Sequence, residues 1–197
     1  MRDLPRMIGL GGEINAGKDT LAMYLQAKYS YVPRGFADPL YEQLAVLDPL
    51  IWDHETLRHR FYSVLVKEYG VDVAKRKFPG IRTHLRRLGN ECGRDIHGED
   101  CWIRVLDSRA RSDARTVTKD IRFLNEVYYT QDRGGLLINV VSDRSVPLEP
   151  SVCPSERLNF AKYADYTVDN SGTREESYEQ LEDILDTYNQ VSWKIDV

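Results

Sequence analysis

This chain of 197 residues has little that would suit export, anchoring or the coating of a polyanion. Cysteine is scarce: Cys92, Cys101 and Cys153 make an odd set with no paired spacing, which argues against a disulfide framework and fits reduced thiols in a cytoplasm. No apolar run is long enough to span a bilayer, and the opening MRDLPRMIGLGG lacks the apolar core of a signal peptide. Excess positive charge is missing too. Lys and Arg number 27 against 31 Asp and Glu, a net charge of −4, so binding to a nucleic acid polymer is not expected. Histidine is sparse as well. His54, His59, His84 and His97 show neither zinc-site spacing nor a nucleophile to serve, and nothing forms a Ser-His-Asp or Cys-His arrangement. Repeats, low-complexity tracts and linkers are absent. What remains is one soluble domain, since this length suits a single well-packed α/β unit and is short for two.

The pattern that is present alternates strands with helices. Residues 7–10 form a short apolar run ending in glycines, and 18–29 carry a helical stripe through Leu21 and Leu25. Residues 31–36 read as a second strand, and Pro39 opens a helix because proline fits the first helical turn. From about 38 to 114 only helical patterns are visible, the clearest through Ile81, Leu85, Leu88, Cys92 and Ile96. Residues 116–119 read as a weak strand, 124–132 as a helix, 136–142 as a strong strand, and 147–154 as loop. Residues 155–164 read as helix and 166–169 as a last strand. A helix capped by Thr173 and Glu176 closes the chain and buries Leu181, Ile184, Leu185 and Tyr188. Such alternation predicts a parallel sheet covered by helices on both faces.

The chemistry begins at GGEINAGKDT, residues 11–20. Gly12, Gly17 and Lys18 match G-x-x-x-x-G-K-[ST], a loop whose backbone N–H groups surround phosphate oxygens while the lysine reaches the β/γ-phosphates. A strand before it and a helix after it supply the required setting, and the helix adds its positive end. The loop therefore predicts a bound nucleoside triphosphate. A dinucleotide fingerprint is set aside, because Ile14 stands where its third glycine belongs. Asp19 occupies the usual hydroxyl position and Thr20 follows one place late, a spacing common in nucleoside monophosphate kinases. Asp19 has two readings: a group for Mg²⁺ or an acceptor, or a carboxylate complementing the helix dipole.

Four further segments follow in order: GFADPLYEQL (35–44), RTHLRRLGNECGRDIHGEDCWI (82–103), KDIRFLNE (119–126), and PSERL (154–158) ahead of DYTVDNSGT (165–173). With the phosphate loop they span nearly the whole chain, which resembles the deoxynucleoside monophosphate kinases of bacteriophages within the P-loop nucleoside monophosphate kinases. Dephospho-coenzyme A kinase and phosphomevalonate kinase share the general plan. The resemblance implies a three-layer α/β P-loop kinase fold around a five-stranded parallel sheet. Its core would be residues 1–37 and 115–197, with a helical acceptor-binding insert at about 38–114 and a lid at about 143–157. It also implies transfer of the γ-phosphoryl group of ATP to a dNMP, with Mg²⁺. The chain departs from the family's usual residues at Tyr41, Arg86, Leu124 and Cys153, which bear on the acceptor and lid sides.

On that resemblance Lys18, Asp19, Asp120, Arg122 and Arg144 are the expected catalytic residues. ATP is expected against Gly12, Asn15, Ala16, Gly17, Lys18, Asp19, Thr20, Arg144 and Asn170. The dNMP is expected against Asp38, Arg82, Arg94, Trp102, Asp120, Arg122 and Glu126. Asp19, Thr20 and Asp120 would meet Mg²⁺ through water. Each has a plainer reading: Asp120 as a helix cap, the insert arginines as a solvated helix face, Asn170 as a turn and Trp102 as core. Arg86 and Arg87 fit the solvated face best, and Arg157 stands second to Arg144 as a lid arginine. A phosphate acceptor already ionised at pH 7 needs no general base, its second pKa being about 6. Two other readings stay open: a kinase of another phosphorylated acceptor such as dephospho-coenzyme A, and an ATP-binding regulatory module without catalysis. The sequence is compatible with a homodimer and does not specify the preferred base.

Overall fold

The computed structural model describes residues 4–110, 114–146 and 158–192. These fall into two compact units, one formed by Met1–Gly35 with Arg109–Val197 and the other by Phe36–Ser108.

The first unit carries a five-stranded parallel sheet in the order β2-β5-β1-β6-β7. Its strands are β1 (Met7–Gly11), β2 (Val32–Pro33), β5 (Thr116–Thr118), β6 (Leu136–Val141) and β7 (Tyr166–Asp169). Central β1 and β6 are apolar and buried along nearly their whole length, as strands covered on both faces must be. One face packs Ile8, Leu10, Val117, Ile138, Val140 and Val168 against α1 (Lys18–Tyr29) and α9 (Arg174–Ser192) through Leu21, Leu25, Leu181 and Leu185. The other face meets α8 (Leu124–Asp132) and a 3₁₀ turn, Phe160–Lys162. There a Cβ on Gly9 would strike Ile121 and Thr130, and one on Gly11 would strike Phe160. The Tyr24 and Tyr29 hydroxyls on α1 both donate to Glu182 on α9, and Tyr24 stacks on Tyr178 at 4.0 Å. β2 is shorter than its sequence pattern: Val32 and Arg34 give their N–H groups to the neighbouring strand, Pro33 sits with its nitrogen on the open edge, and Gly35 follows.

The second unit contains α2 (Asp38–Leu47), β3 (Leu50–Asp53), β4 (Arg58–Phe61), α3 (Tyr62–Tyr69), α4 (Val71–Lys77) and α5 (Pro79–Gly89). A π-helical turn, Asn90–Arg94, leads to α6 (Asp95–His97) and α7 (Cys101–Arg109). Leu44, Ile51, Leu65, Phe78 and Ile81 form its own core. Two expectations are corrected here. The segment is not wholly helical, because β3 and β4 form an antiparallel hairpin. The apolar stripe also stops at the π turn, which adds a residue to the helical repeat and leaves Cys92 and Ile96 exposed. Cys101 is buried and free. No helix among the described residues is long and apolar enough to cross a membrane. The expected helix at 155–164 is only the 3₁₀ turn where it is described, and the lid from 147 onwards, with Cys153 and Arg157, lies outside the described residues.

Candidate active site

The carboxyl end of β1 runs into a loop that only glycine could build at two points. Gly12 sits at φ 129° with the Val140 carbonyl oxygen 2.2 Å from where a Cβ would stand. Gly17 sits at φ 100°, with the Asn170 amide 2.0 Å from its Cβ position. Exposed Asn15 between them is also left-handed, at φ 65°, while Ala16 is fully buried. No side chain caps the start of α1, which keeps that end clear of a competing side-chain acceptor, as an anion site requires.

The loop is braced from outside. Asn170 Nδ2 donates to the Ala16 carbonyl at 3.0 Å, and the Ser177 hydroxyl holds Asn170 Oδ1 at 2.8 Å. On the far side Val146 N donates to the Ile14 carbonyl at 2.9 Å, and Ser145 Oγ to Glu13 Oε2 at 2.6 Å. The segment leaving β6 is thus tied to the phosphate loop.

Lys18 curls back over the loop, its ammonium donating to the Gly12 carbonyl at 2.9 Å and the Glu13 carbonyl at 2.6 Å. Burial draws its pKa down to about 8, and Arg122 adds to the pull, while Asp19, Asp120 and Glu13 oppose it. A phosphate here would restore the full charge, because it replaces neutral carbonyls with anionic oxygens. Thr20, half-buried, follows in the first turn of α1. The neighbouring Asp19 carboxylate is exposed and paired with Lys119, just beyond β5. Lys119 was not singled out from the sequence, although its place ahead of Asp120 at a strand end was the available signal.

Asp120 is half-buried and Arg122 exposed, one and three residues on from Lys119. Glu126, expected against the acceptor, engages backbone. It is 2% exposed, and its Oε2 accepts the backbone N–H groups of Arg122 (2.8 Å) and Phe123 (3.1 Å). That carboxylate fixes the turn that presents Arg122 and starts α8. Arg144 donates to the Asn170 carbonyl and approaches Ser142 Oγ at 3.4 Å. The Asn170 side chain, committed to Ala16 and Ser177, shapes the phosphate loop.

Gly12, Asn15, Ala16, Gly17, Lys18, Asp19, Thr20, Asp120, Arg122, Arg144 and Asn170 therefore belong to one unit, around the carboxyl ends of its strands. Asp38, Arg82, Arg94 and Trp102 belong to the other. Asp38 opens α2 and is exposed; Arg82, also exposed, donates to the Lys75 carbonyl at 3.3 Å. Arg94 turns back on its π turn, donating to the Gly89 carbonyl at 3.2 Å. Trp102 donates to the same carbonyl at 2.9 Å, and its buried ring lies against Gly93. The ring expected against the acceptor base is thus packed against Gly93. Arg87 is exposed and pairs with Glu91. Tyr41, one of the unusual positions, receives the Lys75 ammonium on its hydroxyl.

A buried strand, a left-handed glycine loop and a helix opened by Gly17-Lys18 define the class: an α/β protein with a phosphate-binding loop at the carboxyl edge of a parallel sheet. No family model matches the chain. A protein of Acanthamoeba polyphaga mimivirus described as "Putative deoxynucleotide monophosphate kinase" is 28% identical over 201 residues, covering 94% of this chain and 99% of its own length. Among solved structures, TT1252 from Thermus thermophilus is similar at a TM-score of 0.49 and 21% identity, covering 94% of this chain and 98% of its own. Shikimate kinase from Bacteroides thetaiotaomicron scores 0.43 at 14% identity (91% and 98% covered). Dephospho-CoA kinase from Campylobacter jejuni scores 0.36 at 14% identity (93% and 98% covered). These structural likenesses are distant, and no function is drawn from them.

Proposed function

We propose that this protein is a nucleotide kinase, and more closely a deoxynucleoside monophosphate kinase that transfers the γ-phosphoryl group of ATP to a dNMP. The observation that carries the reading is the group around Lys18: an amine held over the glycine loop by the Gly12 and Glu13 carbonyls, its pKa drawn down to about 8, with Arg122 and Asp120 close enough to act on its charge. On this reading one cation serves the donor phosphates and the other a second phosphate, which a protein that only bound ATP would not need. The mimivirus relative, matched along nearly its whole length, supports the same reading.

Phosphoryl transfer through a loose transition state asks for positioning and charge, and these residues supply both. Backbone N–H groups of residues 12–20 and Lys18 hold the donor, and Arg144 approaches its phosphates when it leaves the Asn170 carbonyl. Arg122 grips the acceptor phosphate with its guanidinium fork. Asp38, Arg82 and Arg94 remain the proposed contacts of the acceptor in the second unit. The described residues contain no group of three or more side chains suited to hold a metal by themselves. Mg²⁺ would be carried by phosphate oxygens and water, with Asp19, Thr20 and Asp120 as its protein contacts. The ion would neutralise charge developing on the bridging oxygens. Lys119, paired with Asp19, would stand as a further cation beside the phosphates.

The test is ADP release from ATP and Mg²⁺ with each dNMP, each ribose counterpart and dephospho-coenzyme A. Turnover with one or more dNMPs is expected, and Lys18→Ala should reduce it at least 100-fold with the fold intact. Activity confined to dephospho-coenzyme A would make the acceptor wrong; silence with all of them would leave an ATP-binding regulator.

A further inference from the structure

Two buried polar atoms of the first unit have no hydrogen-bond partner: Nε of Arg34 and the hydroxyl of Thr118. They are neighbours by register. β2 pairs with β5 through Val32↔Thr116 and Pro33↔Val117, and Arg34 N donates to the Val117 carbonyl at 2.9 Å. The next step therefore sets Arg34 beside Thr118, on one face of the sheet. Thr118 stands in turn opposite Gly9, whose missing side chain would point at Ile121 and Thr130. Both orphan atoms thus lie on the α8 face, at the carboxyl ends of their strands, and Thr118 immediately precedes Lys119, Asp120 and Arg122.

A buried donor without an acceptor destabilises a fold, and two side by side are tolerated where binding supplies what is missing. Thr118 is fully buried, whereas Arg34 is half-buried as a residue with its Nε shielded from solvent. No hydrogen bond of Nε has to break when the guanidinium shifts. Sheet order decides which phosphate it serves. The groups read as binding the donor follow β1, β6 and β7, whereas Asp120 and Arg122 follow β5, and β2 is the next strand outward.

We propose that Arg34 binds the phosphate of the acceptor nucleotide, and that Thr118 is a positioning residue whose hydroxyl receives Arg34 Nε when the guanidinium engages that phosphate. This rests on the monophosphate-kinase reading above. A planar fork suits a dianionic phosphate, and an ammonium reproduces its charge without its geometry.

Steady-state kinetics with the preferred dNMP, varied against ATP, tests it. Arg34→Met is expected to raise KM for the dNMP about 10- to 100-fold and leave KM for ATP unchanged. Arg34→Lys should recover part of that loss. Thr118→Val should raise the same KM several-fold in the native background and have no effect in Arg34→Met. An unchanged dNMP KM in folded, active Arg34→Met overturns the inference and spares the kinase reading. Absence of turnover with every dNMP in the unaltered protein overturns both. Should Arg34→Met fail to fold, the affinity ratio of dNMP to its deoxynucleoside is compared between the native chain and Arg34→Lys. A smaller ratio in Arg34→Lys supports the assignment, and an equal ratio overturns it.

Discussion

A side chain at Gly17 would meet two obstacles of different origin. Its φ of 100° lies in a region that costs a non-glycine residue about 1–3 kcal/mol. Its Cβ would also press on an Asn170 amide that is held by Ala16 and Ser177. Gly17→Ala is therefore expected to destabilise the protein by about 2–4 kcal/mol in chemical denaturation, and to abolish nucleotide binding. Asn170→Ala removes the second obstacle and not the first. The double variant should thus lose less than the sum of the single losses, and strict additivity would show that the clash plays no part. Gly12, Gly17 and Lys18 were legible in the sequence because the loop's chemistry lies within ten consecutive residues. Asn170 as a brace was not, since its partner Ala16 is 154 positions away. Lys119 reaches Asp19 across 100 positions and was hidden for the same reason.

Among the elements, α1, α8 and β7 begin and end where the periodicity places them, because each is bounded by local signals. α1 starts after Gly17, and α8 stops ahead of Gly134-Gly135. The β3–β4 hairpin escaped notice because its turn lacks the Asn-Gly or Asp-Gly pair that marks tight hairpins. Asp53 makes the turn instead, its Oδ1 accepting Glu55 N at 2.9 Å and Thr56 N at 3.3 Å, while Leu57 takes a φ of 52°. Burial works to raise the Asp53 carboxyl, and the bonds from Thr56, Glu55 and Arg60 outweigh it, holding the pKa down to about 2. A depressed carboxylate stabilises the fold above its unfolded value of about 3.9, and that contribution disappears as pH falls towards 2. Asp53→Asn should accordingly melt below the native protein at pH 6, and the gap in Tm should close by pH 2. A gap independent of pH would show that the charge is immaterial. The π turn carries a second prediction. A Cβ on Gly93 would stand 2.4 Å from the Trp102 ring, which is pinned through its indole N–H to the Gly89 carbonyl. Gly93→Ala is expected to cost about 1–3 kcal/mol by overpacking, read by urea unfolding. Gly93→Ala combined with Trp102→Phe should recover part of that loss.

At the scale of the molecule the described residues form two cores, one around Leu25, Ile138 and Leu185 and one around Leu44, Leu65 and Ile81. Length counts residues and is blind to how contacts divide them into the two compact units, Met1–Gly35 with Arg109–Val197 and Phe36–Ser108. Two cores make departure from two-state unfolding the expectation in calorimetry. Leu25→Ala and Ile81→Ala, each emptying a fully buried position, should lower different parts of the transition by about 2–5 kcal/mol. Ligand linkage then identifies which part carries the phosphate loop. A ligand bound only by the folded form adds RT ln(1 + [L]/Kd), about 2.7 kcal/mol at 100 times Kd. ATP with Mg²⁺ should raise the component that Leu25→Ala lowers, because the loop and α1 belong to that core. In Leu25→Ala the nucleotide should restore a large share of the lost stability, whereas Lys18→Ala should remove the effect. An ATP-dependent rise confined to the component lowered by Ile81→Ala would place the nucleotide in the other unit and undo the assignment of the loop.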